Sequence, residues 1–231
     1  DGLDASFTGE YPTLIIRNQD RPGMVAEVTG VLSKRQVNIS TIEDPVEKNV
    51  PKINQMQVNN QAGLTFETGL RALLRQDPDV IMVGETRDME TASISVRAAI
   101  TGHLVFSTLH TNDAVSSIAR LEDMGLLPYM ISSSLVGVIA QRLMRKVCPD
   151  CAEEVVPTEE EAAILGKDIH TIKRAKGCPV CNHTGYHGRI AVHEVLYVDK
   201  EIRKMIIEQR PAEEIEEYAI QHQGMKTLKQ C

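Results

Sequence analysis

Three acidic residues lie within five positions in the segment TIEDPVE at 41–47: Glu43, Asp44 and Glu47. They follow a strand predicted over Val37–Ile42, and the carboxyl ends of strands in α/β folds face the ligand crevice. Carboxylates in that place can hold Mg²⁺ or polarise a water molecule. The alternative interpretation is a solvated acidic turn, since runs of charge usually lie on the surface.

A further acid stands at the end of an apolar run in the segment DPDVIMVGETRD at 77–88. The four apolar residues Val80–Val83 predict a short buried strand that delivers Glu85 to its tip. This is the layout of a Walker B element, in which the acid serves Mg²⁺ and the attacking water. The alternative is that Glu85 and Asp88 only cap the next helix.

Two histidines, His103 and His110, bracket the next apolar run, which predicts a strand over His103–Leu109 covered on both faces. Either imidazole could sense a phosphate or transmit a signal between subunits. The alternative is that both are structural groups with satisfied hydrogen bonds.

Four cysteines form two C-x2-C pairs separated by 26 residues: Cys148, Cys151, Cys178 and Cys181. Two such knuckles can supply four thiolates in a tetrahedron around Zn²⁺. Four thiolates leave no open coordination position, so we expect a structural ion. The alternatives are substitution by His183 or His187 as ligands, and buried free thiols.

A phosphate-binding loop is missing from the sequence. Such a loop has the pattern G-x-x-x-x-G-K-[ST], in which backbone N–H groups and the lysine hold the triphosphate. Gly23 and Gly30 lie in the N-terminal part, but no Gly-Lys-Ser/Thr follows either of them.

The composition is that of an ordinary globular protein: 231 residues, 42% hydrophobic and 25% charged, with a net charge of −7. The acidic balance argues against sequence-independent binding of nucleic acid. No apolar run approaches the ~18 residues of a membrane span, so we expect no direct membrane insertion. Without a signal peptide, and with cysteines spaced as metal ligands, we expect a cytoplasmic protein. The chain starts at Asp1, so it is expected to be a fragment.

The elements that must position these residues alternate between strand and helix. Residues 1–40 predict a βαβ unit, with strands at Thr13–Arg17 and Val37–Ile42 around a helix at Met24–Lys34. We expect this unit to add a strand to the main sheet. Residues 41–147 continue the alternation, which indicates a mostly parallel sheet.

Within that core, helices are predicted over Leu64–Arg75, from a cap at Asp88 to Ile100, and from a cap at Asn112 or Asp113 to Gly125. An i, i+4 apolar stripe predicts one more helix through these residues: Ile131, Leu135, Ile139 and Leu143. In the C-terminal part, Thr158 and Glu161 form a capping-box pattern, and a helix is predicted between Pro211 and Gly224.

From Thr41 to about Gly224 the chain resembles the C-terminal half of the type II secretion and type IV pilus-assembly ATPases (the GspE/PulE/PilB family). The segments that carry the resemblance are TIEDPVE at 41–47, INQMQVN at 53–59, GLTFETGLRALLRQDPDVIMVGETRD at 63–88, TGHLVFSTLHTN at 101–112, AQRLMRKVCPDC at 140–151 and GCPVCNHTGYHGRIAVHEVL at 177–196. They occur in family order and spacing over about four-fifths of the chain.

The resemblance implies roles for the candidate residues. Glu43, Asp44 and Glu47 would form the family's aspartate box, with Glu47 orienting or activating the attacking water, and Glu85 would be the Walker B glutamate that supports Mg²⁺. Residues with a nucleotide-sensing role would be His103 and His110, as the histidine box, and Arg87. The tetracysteine cluster would match the family's zinc-binding insert.

The resemblance also implies an assembly. Family members are hexameric rings with a RecA-like core that convert ATP hydrolysis into movement of a pilus or pseudopilus machine. The implied partners are five further copies of the chain and platform proteins of the inner membrane, which would make the protein peripheral to that membrane.

Residues 11–40 resemble instead the first half of an ACT domain of the kind found in L-serine dehydratases, with Asp20-Arg21-Pro22-Gly23 as its ligand loop. The two resemblances meet near Ser40 and Thr41, where each family has a strand of similar character. We therefore hypothesise a fusion or a mis-assembled reading frame.

Together these observations predict an α/β fold: a truncated RecA-like P-loop NTPase core with a zinc knuckle, preceded by an ACT-like segment. The expected divisions are 1–40, 41–147, 148–196 and 197–231, the last being helical. The expected function is an ATPase of secretion or pilus assembly with impaired ATP hydrolysis. The alternatives are an amino-acid-binding ACT segment linked to L-serine dehydratase and an inactive structural zinc protein.

Overall fold

The computed structural model describes residues 13–16, by their backbone, and residues 37–165 and 169–231. The predicted helix at Met24–Lys34 and the motif at Asp20–Gly23 lie outside these residues. The chain divides into two compact units, one reaching to Gln141 and resuming at His193, the other spanning Arg142–Val192. The second unit contains all four paired cysteines.

The described residues form nine strands: β1 Thr13–Ile16, β2 Ile39–Glu43, β3 Asn54–Gln57, β4 Val80–Val83, β5 Leu104–Ser107, β6 Leu135–Val147, β7 Ala152–Val155, β8 Ile172–Ala175 and β9 Tyr186–Tyr197. Seven of them make one sheet in the order β3-β2-β4-β5-β1-β6-β9, and β7 pairs antiparallel with β8 in the second unit. The neighbours from β3 through to β6 are all parallel. The predicted parallel sheet is therefore confirmed.

The described helices are α1 Phe66–Leu73, α2 Met89–Ile100, α3 Ser116–Asp123, α4 Pro128–Ser134, α5 Glu159–Leu165, α6 Lys200–Ile207 and α7 Ala212–Gln223. The predicted cap at Asp88 is confirmed, since its side chain accepts a hydrogen bond from the N–H of Thr91 at 2.8 Å. The cap predicted at Asn112 or Asp113 is wrong: the N-cap of α3 is Val115, although Asp113 accepts a hydrogen bond from the N–H of Ser116 at 2.7 Å. Gly224 ends α7 with a φ of 67°, a conformation that favours glycine. None of these helices is long and apolar enough to cross a membrane.

Strands β2 and β4 are buried along their whole length. Such complete burial is expected of parallel strands covered on both faces, and it explains their continuous apolar sequence. One core cluster gathers Ile42, Ile81 and Val83 with Leu70 of α1 and Ala98 of α2. These contacts fix the ends of β2 and β4, from which the candidate acidic residues leave the sheet.

Strand β1 lies inside the sheet and not beside it. It pairs parallel with β5, where Leu14 is opposite Phe106, and parallel with β6, where Ile15 is opposite Val138. The expectation that the front segment supplies a strand to the main sheet is confirmed.

The helix predicted through Leu135, Ile139 and Leu143 is wrong. Helix α4 ends at Ser134, and these three residues lie on β6. Positions four apart share a face of a helix, but they also share a face of a strand, whose period is two. The stripe therefore could not separate the two structures, and pairing with β1 selects the strand.

Candidate functional site

The acidic residues meet at the carboxyl edge of the sheet. Glu43 is the last residue of β2, and Glu85 follows β4 by two positions. The N–H of Gly84 donates to the carbonyl oxygen of Ile42 at 2.8 Å, so the two strands stay paired to this point. Because parallel strands end at the same edge, the sheet brings Glu43 and Glu85 to adjacent positions.

Gly84 allows this close approach. A Cβ at this position would lie 3.2 Å from the carbonyl oxygen of Ile42 and 3.3 Å from the Cα of Glu43. These contacts are tight, and both are with backbone atoms. The glycine before Glu85 thus lets β4 end directly against the residue that carries the first carboxylate.

The Glu43 carboxylate is 3% exposed and is held by two side chains. The hydroxyl of Thr41 donates to its Oε1 at 2.6 Å, and the amide of Gln55 donates to the same oxygen at 3.0 Å. A buried carboxylate needs such partners, because burial without hydrogen bonds is costly. Glu43 is consequently a fixed group, not part of a solvated turn.

Gln55 also holds the loop that follows Glu43. Its Oε1 accepts from the N–H of Val50 at 2.6 Å, and its Nε2 donates to the carbonyl oxygen of Lys48 at 3.1 Å. Asp44 and Glu47 are exposed on this loop. Gln55 was not among the residues predicted from the sequence, where its only signal was its place in the segment INQMQVN.

Glu85 forms the centre of a small charged group. Its Oε2 lies 2.5 Å from Nε of Arg87 and 3.5 Å from Nε2 of His110. The Glu85 side chain is 14% exposed, whereas those of its two partners are 68% and 67% exposed. Of the two acids offered as helix caps, Asp88 is the N-cap of α2, and Glu85 faces Arg87 and His110 instead.

Hydroxyl groups tie the ends of β4 and β5 together beneath Glu85. Thr86 and Ser107 are joined through their hydroxyls at 2.7 Å, and the Thr108 hydroxyl donates to the carbonyl oxygen of Gly84 at 2.6 Å. The sequence analysis did not single out these residues. They place the segment that leads to His110 next to the segment that carries Glu85.

His103 is not brought to this site. It immediately precedes β5, whereas His110 follows that strand, so the two histidines lie at opposite edges of the sheet. The Nδ1 of His103 is 3.1 Å from the carbonyl oxygen of Ala98, near the end of α2. The structure thus does not bring the two histidines together within one chain, and the sensing role of His103 stays a prediction.

A second candidate site is formed by the four cysteines in the Arg142–Val192 unit. Their sulfur atoms all lie within 4.8 Å of one another. The Sγ atom of Cys181 is 3.8 Å from that of Cys151 and 3.7 Å from that of Cys178. A tetrahedral Zn²⁺ with Zn–S bonds of about 2.3 Å requires sulfur separations of about 3.8 Å. The donor set therefore fits zinc, without His183 or His187.

Backbone N–H groups point at the sulfur atoms, as in metal-binding knuckles. Gly177 donates to Sγ of Cys151 at 3.3 Å, and Cys178 and Gly185 each donate to Sγ of Cys181 at 3.2 Å. The bond from Cys178 is the main cause that lowers the pKa of the Cys181 thiol to about 6, whereas burial raises the pKa of Cys148 to about 12. Such donors favour a thiolate, the form that binds metal.

A mostly parallel sheet with acids at the tips of neighbouring strands defines the class of α/β folds that have a candidate ligand crevice at the carboxyl edge of the sheet. Comparison with known families gives the assignment within that class. The model of the family described as type II/IV secretion system protein matches residues 24–231. The chain belongs to this family.

Its relatives include the type IV pilus assembly ATPase PilB of Thermus thermophilus, which is 55% identical over 198 residues, covering 84% of this chain and 22% of the relative. The type II secretion system ATPase E of Vibrio cholerae is 53% identical over 178 residues, covering 76% of this chain and 35% of the relative. The chain thus spans about a fifth to a third of these relatives.

Among solved structures, the pilus retraction motor PilT with bound ADP is similar with a TM-score of 0.66 and 28% identity, over 96% of this chain and 60% of that one. The Legionella pneumophila ATPase DotB has a TM-score of 0.59 at 22% identity, over 93% of this chain and 53% of that one, a likeness of fold. The comparisons identify the family from residue 24 onward, and an ACT domain is not among their findings.

Proposed function

We propose that this chain is the sheet-and-knuckle portion of a motor of type II secretion or type IV pilus assembly, with impaired ATP hydrolysis. The observation that carries the proposal is the placement of Glu43 and Glu85 at adjacent strand ends, with His110 beside Glu85. In a P-loop ATPase, acids in this place serve Mg²⁺ and the attacking water.

The chain's own residues divide this work. Glu43, fixed by Thr41 and Gln55, positions the loop that presents Asp44 and Glu47. The Glu85 carboxylate is the acid available at the tip of β4, and Arg87 and His110 lie within reach to respond to a change of charge there. We assign Glu47 to the attacking water and Arg87 and His110 to sensing.

The residues present do not fit a triphosphate. Strand β1 runs parallel to β5, so its carboxyl end lies at the sheet edge that carries Glu85, and the sequence segment that follows it begins at Arg17. A phosphate loop would have to occupy that segment, yet Arg17–Met24 contains neither the Gly-Lys-Ser/Thr sequence nor the glycine spacing. Without that cradle the phosphates are not positioned, and positioning is most of phosphoryl-transfer catalysis.

The test is ATP turnover by the purified chain and by a variant whose residues 17–24 are replaced with a G-x-x-x-x-G-K-T sequence. We expect no turnover by the unaltered chain and nucleotide affinity weaker than about 100 μM. The replaced chain should bind ATP more tightly, and Glu85→Gln in that background should remove any turnover. Matched melting temperatures would show that the replacement keeps the fold.

Hydrolysis by the unaltered chain that is lost in Glu85→Gln would overturn the proposed impairment. Tight ATP binding without residues 17–24 being replaced would overturn it as well. If the chain with residues 17–24 replaced folds correctly but binds ATP no more tightly, this edge of the sheet is not the nucleotide site.

We propose that the four cysteines hold one structural Zn²⁺, which fixes the knuckle and supplies no catalysis because all four positions are thiolates. The sulfur separations of 3.7 and 3.8 Å support zinc. An inactive zinc protein remains the alternative if the replaced chain above neither binds nor hydrolyses ATP.

The ACT-like segment is the other alternative, with an amino acid as its ligand. The pairing of β1 with both β5 and β6 favours a secretion or pilus motor over a separate ACT segment, because β1 is part of the main sheet. A rise in melting temperature with L-serine, absent in Asp20→Ala, would support the amino-acid site. We expect no such rise.

We further propose that the longer protein acts as a homo-hexamer on platform proteins of the inner membrane, from its cytoplasmic side. This follows from membership of the family and from the relatives' named roles in secretion and pilus assembly.

A further inference from the structure

A groove of 540 Å³ runs between α1 and α2 in the sheet-containing unit. It is remote from the acidic strand tips, since its residues belong to the outer sides of the two helices and the turn after α1. Its floor is apolar and its rim is basic. The floor comprises Leu74, Met89, Ile94 and Ala98, and the charged rim comprises Arg71, Arg75, Arg97 and Glu90.

Two of the three arginines on the rim have no ion-pair partner among the described residues. Arg71 forms an ion pair with Glu67 at 3.1 Å. Within residues 37–165 and 169–231, Arg75 and Arg97 take part in no ion pair. Met89, on the floor, is 55% exposed. The groove thus combines two guanidinium groups outside any described ion pair with exposed apolar surface, a combination typical of sites for an acidic amphipathic partner.

Helix α5, in the second unit, has the opposite character. Its first turn consists of three glutamates, and none of its residues is buried. Ile164 is 82% exposed. Glu161 is engaged by Arg174 at 2.7 Å, whereas Glu159 and Glu160 form no ion pair with any residue the structure describes.

These acidic and apolar groups share a face. Glu160, Ala163 and Ile164 stand at positions i, i+3 and i+4, which lie together on one side of a helix. All three are exposed. A helix that is acidic at its start and apolar one turn later, with this side exposed among the described residues, matches the rim and the floor of the groove.

We propose that the α1–α2 groove of one molecule binds helix α5 of a second copy of this chain. Ile164 would pack on the apolar floor, and Glu159 and Glu160 would pair with Arg75 and Arg97, as in the helix-in-groove mode of recognition. The contact joins two different surfaces, so repetition leads to a ring or a filament. It involves no nucleotide, and it rests on the homo-oligomer proposed above, for which it names one contact between copies.

The contact is small, which sets the expected strength. A seven-residue helix covers far less than the ~800 Å² per partner of a standard interface. We therefore expect a dissociation constant on the order of 100 μM, weakening as salt screens the charge pairs. Such a contact would matter where several copies are held together.

The test is sedimentation velocity of the full chain from about 10 to about 300 μM, which spans the expected dissociation constant. Arg75→Glu/Arg97→Glu and Glu159→Lys/Glu160→Lys should each weaken self-association by about tenfold or more, the effect of 1.4 kcal/mol. Arg120→Glu and Glu213→Lys, exposed charges outside both surfaces, serve as matched controls and should leave association unchanged. Because all these side chains are exposed, circular dichroism should show the same fold throughout.

A mixture of the two double variants gives the decisive result. The acidic groove of the first accepts the basic helix of the second, and the unaltered helix of the first accepts the unaltered groove of the second. We therefore expect association in the mixture where each variant alone is monomeric. A chain that stays monomeric at the highest concentration overturns the proposal. Association that neither double variant weakens, or a mixture without a complex, overturns it too.

Discussion

The side-chain amide of Gln55 donates to Oε1 of Glu43 at 3.0 Å while its oxygen accepts from the N–H of Val50 at 2.6 Å. One side chain on β3 thus ties a buried carboxylate to the far end of the acidic loop. Residues 44–50 contribute no helix or strand of their own, so this amide replaces the order that a ladder of hydrogen bonds would give them.

Replacing Gln55 by Leu should therefore free the loop while keeping the strand. The change leaves the Glu43 oxygen with Thr41 alone and removes the acceptor for Val50, at a cost of about 1–3 kcal/mol. Hydrogen exchange should show faster exchange of the Val50 amide, and urea unfolding should show the lost stability. Gln61→Leu, on an exposed turn, is the control, and equal behaviour of both variants would contradict the role given to Gln55.

Zinc should be present at one ion per chain when the protein is purified without chelator. Cys178→Ser should reduce the bound zinc and lower the melting temperature, because three thiolates hold the ion less firmly and structural zinc contributes folding energy. Cys231→Ser, an exposed cysteine outside the cluster, should retain the full metal content. Plasma emission spectrometry measures the zinc content of both variants. If the chain keeps its melting temperature in excess chelator after complete metal loss, zinc does not stabilise the fold.

Asp199 should make stability depend on pH. Burial raises the pKa of this carboxyl, but hydrogen bonds from the backbone N–H of Ile202 and the amide of Gln223 outweigh it, so the net pKa lies below the ordinary 3.8. A depressed folded pKa means that the carboxylate stabilises the fold above pH 3.8 and that this contribution is lost as the pH falls through the folded value.

The measurement is urea unfolding of the protein and of Asp199→Asn across acidic pH. Asp199 is the N-cap of α6, and asparagine caps a helix about as well, so the substitution isolates the charge, which we expect to be worth about 0.3–1 kcal/mol near pH 7. The difference between the two proteins should shrink below about pH 4. A difference that is constant from pH 3 to pH 7 would show that the charge has no part in the cap.

The parts of the fold that were predicted are those with local signals. The cap at Asp88, the capping box of Thr158 and Glu161, and the glycine that ends α7 each depend on residues within one turn. Continuous apolar runs likewise predicted β4 and β5, because burial on both faces leaves no alternation to confuse with a helix.

The remainder depends on contacts between distant residues. Buried Glu194 accepts from the N–H of Ala114 at 2.7 Å and from that of Leu228 at 3.0 Å, partners 80 and 34 positions away. No local sequence pattern around Glu194 predicts these hydrogen bonds. The same holds for β3, whose residues are mostly polar and whose structure comes from pairing with β2. The roles of Glu43 and Glu85 were predicted, but their hydrogen-bond partners were not.

Replacing Gly69 by alanine tests whether helix propensity or packing dominates, because the two effects change the free energy of unfolding in opposite directions. It lies within α1, where alanine is favoured over glycine by about 1 kcal/mol. A Cβ there, however, would overlap Cδ1 of Ile42 and stand 2.9 Å from Sδ of Met56. Ile42 is fully buried on β2, so its side chain must repack within the core to admit the methyl group, and overpacking costs about 1–3 kcal/mol.

Gly69→Ala should therefore destabilise the protein in urea unfolding, against its helix propensity. Ile42→Val removes the Cδ1 that the new methyl group meets, so Gly69→Ala should cost less, or even stabilise, in that background. The double-mutant cycle should show a favourable coupling of about 1 kcal/mol or more. Additive effects would mean that α1 and β2 can move apart, and the close packing that fixes Glu43 at the end of β2 would have to be reconsidered.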